Sequence, residues 1–176
     1  TLTSGIPITF ADVSSAGTVY FTPYKGNQIS LYDTTLLDWE VYAFAEVSIS
    51  LGGIAIDKNV DIFIYDFLGT LTLEAVQWSS DTARATNITL LNGIYVQSGA
   101  ANKRYLGTVR TSGSGSTEDT FAKRYVFNHL NPIARILYKE DLTASWTYNA
   151  VAWRAANNSA ANAVYWVCGV IENMFE

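Results

Sequence analysis

Ala101–Leu130, ANKRYLGTVRTSGSGSTEDTFAKRYVFNHL, is the stretch that decides the reading of the fold. Two basic-aromatic arms, Lys103-Arg104-Tyr105 and Lys123-Arg124-Tyr125, flank a tip of small residues, Ser112-Gly113-Ser114-Gly115-Ser116, and an acidic pair, Glu118-Asp119. A Gly-Ser tip has no apolar surface to set against its ordering entropy, so it is expected to run over the surface as a loop. The arms read as strands. Period-2 alternation places Arg104, Leu106, Thr108 and Arg110 on one face and Tyr105, Gly107, Val109 and Thr111 on the other. Each guanidinium is a rigid fork suited to carboxylates, and Glu118 and Asp119 are the nearest in sequence. Lys103, Arg104, Arg110, Glu118, Asp119, Lys123 and Arg124 are therefore the candidate ion-pair or interface residues. Nucleophile, base and orienter do not sit together here, so pairing or subunit contact is favoured over chemistry.

The wider composition agrees with a β domain. The chain has 176 residues, enough for one domain with a real core, and 49% of them are apolar while only 15% are charged. That balance excludes a disordered chain. Five Trp and eleven Tyr, with abundant Thr and Ser, suit strands with broad buried contacts. A net charge of −5 disfavours general nucleic-acid binding. Yet Lys103–Lys139 carries seven of the eleven basic residues, which points to docking between copies or onto an acidic partner, unless folding interleaves the charges. The single cysteine, Cys168, excludes an internal disulfide; within Val164–Cys168 it reads as a small buried hydrophobe. No stretch reaches the roughly 20 apolar residues of a membrane-spanning helix, and no signal peptide is recognisable. The chain begins at Thr1 without Met and is read as a fragment or a processed product.

Outward from the basic arms, the alternation continues. Thr1–Thr9, with Pro7 among apolar positions, reads as an edge strand or an extended arm. Thr18–Thr22 and Ile29–Tyr32, separated by a Tyr24–Asn27 turn, read as a hairpin. Leu37–Ile49 is the cleanest alternation: Leu37, Trp39, Val41, Ala43, Ala45, Val47 and Ile49 share one parity, expected to face the core. Its length predicts a bend near Ala43-Phe44-Ala45 and two strands. Asp61–Phe67 is apolar on both parities, the mark of a central strand covered on both sides, and it pairs with Thr70–Ala75 as a hairpin closed by Trp78. Ser79-Ser80-Asp81 can cap a short helix over Thr82–Leu91, stopped by Gly93. Ser116–Ala122 has near capping-box spacing and predicts one helical turn. Ile133–Lys139 and Ala144–Tyr148 alternate again, Arg154–Asn162 reads as a loop, and Val164–Ile171 as a final buried strand. About ten short antiparallel strands predict a single all-β domain over residues 1–176, a β-sandwich or jelly roll with one or two short helices.

Catalytic and metal patterns are weak. His129 is the sole histidine, so a Ser-His-Asp or metal site would lean on one strand residue. Asp57, Asp61 and Asp66 lack calcium-loop spacing, and the Ser-Gly tip lacks the remaining glycine and lysine of a phosphate loop. Two carboxylates for glycoside hydrolysis are a matter of spatial separation, which sequence does not give. The expectation is a protein that is not an enzyme and holds no cofactor. Of Trp39, Trp78, Trp146, Trp153 and Trp166, most are expected in the core; any left exposed would suit a carbohydrate platform.

Several of these segments together carry a resemblance. Lys103–Thr111, Thr117-Glu118-Asp119 and Ala122–Asn128, with Thr22–Asn27, Ile29–Asp33, Asp61–Asp66, Gly69–Glu74 and Ala144–Tyr148, resemble a family of uncharacterised structural proteins of tailed bacteriophages and prophages. These segments cover most of the chain, in order. The resemblance implies a virion protein: a capsid decoration or cement module, or a tail-fibre module, that self-associates, most often as a trimer. Its partners would be copies of itself and either the major capsid protein or tail components. The competing expectation is a fibre or spike module that binds a host surface glycan through exposed Trp or Tyr; a polysaccharide-cleaving enzyme would need two facing carboxylates in a cleft. Charge reversal at Arg110 is expected to weaken assembly if the basic arms form the contact between copies.

Overall fold

A computed structural model describes residues 1–148 and 151–170. Fourteen strands run in chain order: β1 (Val13–Ala16), β2 (Thr18–Phe21), β3 (Gln28–Asp33), β4 (Asp38–Ala43), β5 (Val47–Ser50), β6 (Asn59–Phe67), β7 (Thr70–Gln77), β8 (Ile88–Leu91), β9 (Ile94–Gln97), β10 (Ala100–Gly113), β11 (Ser116–Asp119), β12 (Lys123–Arg124), β13 (Val126–Asn128) and β14 (Tyr165–Trp166). The expected class, all-β and antiparallel with sandwich layering, is the one observed; β12 and β14 alone pair in parallel.

The organising element is β6. Its first six residues are buried on both faces, as its unbroken apolar run predicts. It forms the expected hairpin with β7, and its other edge pairs with the 14-residue β10. Along its far edge β10 meets β9, then β13, then β11, so the basic excursion is the spine of the large sheet. Two ribbons, β2–β5 and β3–β4, cover one face of that spine. Between the layers lie Val19, Ile29 and Leu31 against Val60, Ile62, Ile64 and Val109.

Several local expectations are corrected. Thr18–Thr22 and Ile29–Tyr32 do not pair with each other: β2 takes β5 and β3 takes β4. The chain does break after Ala43, as expected, but the parity of β4 is inverted. Val41 is 63% exposed, while Tyr42 and Phe44 pack against the core. The cause is the ladder: Tyr42 and Glu40 lie opposite the buried Ile29 and Leu31, and opposed residues share a face. No helix forms over Thr82–Leu91. Residues 88–91 are β8, joined to β9 through Asn92-Gly93 with φ of 52° and 84°, the two-residue turn that Asn-Gly favours between β-rich runs. Ser116–Asp119 is β11 rather than a helical turn, and the one helical element among the described residues is a 3-10 turn at Ala156–Asn158.

The Gly-Ser tip is a tight turn between β10 and β11, not a free loop; the Gly115 amide donates to the Ile54 carbonyl at 2.8 Å. Residues 1–6 fold back over their own chain, with Leu2 in the core and Glu46 accepting from Ser4 Oγ, Gly5 N and Thr22 Oγ1 at 2.6, 2.7 and 2.6 Å. No strand is assigned to the described residues between Asn128 and Tyr165. The final strand is two residues long and exposed rather than buried, and Cys168 is exposed as well; Ile171 lies outside the described residues.

Candidate functional site, buried ion pairs beneath the C-terminal segment

Strict alternation along β10 fails at one point. Tyr105 opposes Phe63 and Gly107 opposes Ile62, so Leu106 is an extra residue, a bulge. The bulge shifts parity. Tyr105 and Thr108 come to the same face, with Tyr105 Oη and Thr108 Oγ1 at 2.6 Å, and Arg104 and Arg110 are placed on opposite faces rather than one. Arg104, opposite Ile64, turns toward the covering ribbon and donates to the Ser30 carbonyl at 2.8 Å; burial lowers its pKa. Arg110 turns the other way and meets Asp81 at 3.0 Å, Asp57 at 3.7 Å and the Asn59 side-chain oxygen at 3.1 Å.

The remaining candidates also find partners within the chain. Lys103 pairs with Glu74 at 2.8 Å, and Lys123 with Glu118 at 2.9 Å. Arg124 reaches Asp119 at 3.4 Å and the Ile136 carbonyl at 2.9 Å, and stacks over Phe121. Thus Glu118 and Asp119 do receive basic side chains, from the second arm and not the first. Asp119 is buried, which pushes its carboxyl pKa up; Arg124 and Arg135, which also pairs with it, pull the other way. Arg135 is not among the candidates; the alternation of Ile133–Lys139 forms no strand, so parity there does not give the direction of its side chain.

The deepest network is one the candidate residues do not include. Asp61, in the middle of β6, is 1% exposed. One carboxylate oxygen accepts from Thr108 Oγ1 at 2.6 Å, and the other pairs with Arg84 Nε at 2.6 Å. Arg84 comes from the loop before β8, lies over the Trp78 ring at 4.5 Å, and donates to the Gly169 carbonyl. Tyr105 and His129 pack beside the network at 5.7 Å between ring centroids, and burial raises the Tyr105 pKa. A carboxylate flanked by Val60 and Ile62 in a doubly buried strand was the legible half of this pair; Arg84 in a polar loop gave no signal.

Gly169 completes the arrangement. A Cβ there would collide with Tyr105 Oη and Thr108 Oγ1 and lie 2.9 Å from Phe127 Cδ1, so only glycine lets the backbone approach. The same segment is tied to the sheet edge by Tyr165 N to Ala122 O at 2.9 Å and Val167 N to Arg124 O at 3.0 Å. The Asp61-bound Arg84 side chain and the backbone bonds from Tyr165 and Val167 therefore hold this peptide against the sheet.

Two clefts of about 300 and 490 Å³ flank Phe127 and Asn128. Among the described residues, the first has no carboxylate in its wall and the second has only Asp119, itself engaged by two arginines. Among the described residues no three of His, Cys, Asp and Glu converge, and no helix is long and apolar enough to cross a membrane. Of the tryptophans, Trp78 is buried and Trp39 half-buried, whereas Trp146, Trp153 and Trp166 are exposed, contrary to the expectation that most fill the core. No protein-family model matches the chain, and no curated protein or solved structure matches it either.

Proposed function

We propose that the chain is a structural module of a bacteriophage virion, not an enzyme. It self-associates, most simply as a trimer, and serves as a capsid decoration or cement module or as part of a tail fibre. Its partners are copies of itself together with the major capsid protein or tail components. The observation that carries this reading is the surface between β13 and β14. Ile136, Leu142, Trp146, Tyr148, Val151 and Trp153 are all exposed there, next to a body whose candidate basic residues already have partners. Large apolar side chains left open at this density along one segment suit burial against another chain. The resemblance of Lys103–Asn128 and its companion segments to phage structural proteins supplies the setting. Gold-labelled antibody against the chain, applied to intact particles under the electron microscope, tests it: label on head or tail is expected, and unlabelled particles contradict it.

A host-glycan module is the second reading, favoured by the three exposed tryptophans. Sugars stack on aromatic faces flanked by polar groups. Here the aromatics are interspersed with Ile136, Leu142 and Val151, aliphatic side chains that suit protein burial better. A glycan-array screen in which Trp153→Ala abolishes binding would raise this reading above the first.

A further inference from the structure

The segment that reaches the Asp61–Arg84 network is attached by an unusual tether. Thirty-six residues separate Asn128 from Tyr165. Their described part forms one 3-10 turn and no strand. Val151 is 111% exposed and Trp153 103%, as open as in an unfolded chain. Ordering such a connection costs conformational entropy at every residue, and this one returns little burial on its own body. The anchor at its end is the opposite. Gly169 fits a cradle of Tyr105, Thr108 and Phe127 that excludes a Cβ, Arg84 caps its carbonyl, and β14 adds to the edge of β12. A specific plug on a long, poorly packed, apolar tether is the arrangement from which segments exchange between identical chains. At about 3.3 Å per residue the tether can span roughly 120 Å, far more than the distance to an adjoining copy.

We propose that residues 165–170 dock into the cradle of a second copy, so that the self-associated module is held together by exchanged C-terminal segments. This rests on the self-association put forward above and names what each copy contributes to the next. Each cradle keeps its contacts in the exchange, because the plug is chemically the same whichever chain supplies it. The tether gains: laid between copies, its apolar side chains are covered from both sides.

The test uses the ladder partners Lys123 and Tyr165. Lys123→Cys and Tyr165→Cys are combined with Cys168→Ser, which removes the one native thiol. The protein is oxidised in its assembled state, unfolded, and run on a non-reducing gel beside light scattering of the unsubstituted chain. Exchange predicts covalent multimers that collapse to one band on reduction. An assembled protein giving only single-chain mobility, or leaving both thiols free, overturns exchange while self-association stands. A monomer by light scattering overturns both.

Discussion

Replacing Asp61 tests the network on which the C-terminal segment rests. Asp61→Ala leaves the Arg84 guanidinium and the Thr108 hydroxyl without their buried acceptor. Stripping one partner from a buried pair costs about 3–5 kcal/mol. The Arg84 side chain is 16% exposed, so water can partly replace the lost carboxylate and the lower end, about 3 kcal/mol, is expected. Against a total stability of about 5–15 kcal/mol that is a large fraction. For a chain of this size it corresponds to a fall in melting temperature of roughly 6–12 °C. Arg84→Ala should cost a similar amount, since it also forfeits the contact over Trp78. The decisive measurement is the double-mutant cycle by chemical denaturation. If the two side chains act on each other, the Asp61→Ala/Arg84→Ala protein falls short of the summed losses by about 2 kcal/mol. Strict additivity, or an Asp61→Ala protein as stable as the parent, would refute the claim that this pair is a buried coupled unit.

Three further outcomes follow from the same geometry. Gly169→Ala cannot seat against Tyr105 and Thr108, so the amides of Tyr165 and Val167 should exchange hydrogen faster while those of β6 stay protected; equal protection would contradict the cradle. Glu46, whose pKa is lowered from 4.5 by bonds from Ser4, Thr22 and Gly5, holds residues 1–6 with a grip that is complete above 4.5 and lost as pH falls through the depressed folded value. Limited proteolysis near Ser4 should accelerate only in that acid window, and a rate that is flat with pH would count against it. Lys103→Ala breaks a pair that is a quarter to a third exposed, so denaturant midpoints should move by no more than about 1 kcal/mol of stability.

How far the sequence could be read depended on whether local pattern and long-range pairing agreed. β6 was legible because burial on both faces leaves no polar parity, and the β6–β7 hairpin because its turn lies at Leu68-Gly69. β4 shows its other face to the core, because its orientation follows from Ile29 and Leu31 across the ladder, which alternation within Leu37–Ile49 does not contain. The helix expected at Thr82–Leu91 gave way to β8 because Asn92-Gly93 is a hairpin turn before it is a helix stop. Along β10 a single bulge at Leu106 sent Arg104 and Arg110 to opposite faces, and a bulge has no signature in alternation. The seven candidate charged residues do form internal contacts, yet the pair that contains the deepest carboxylate, Asp61–Arg84, joins a strand to a distant loop, and spacing does not name the partner of Asp61.

The proposed joining of this β module to copies of itself covers the apolar tether between β13 and β14 in the assembly. Molar mass by multi-angle light scattering, followed over a dilution series, tests it most directly. Three chains of 19.3 kDa should travel together as a particle of about 58 kDa, and Trp153→Asp should break it apart. A single 19.3 kDa species at every concentration, unchanged by Trp153→Asp, would contradict the account.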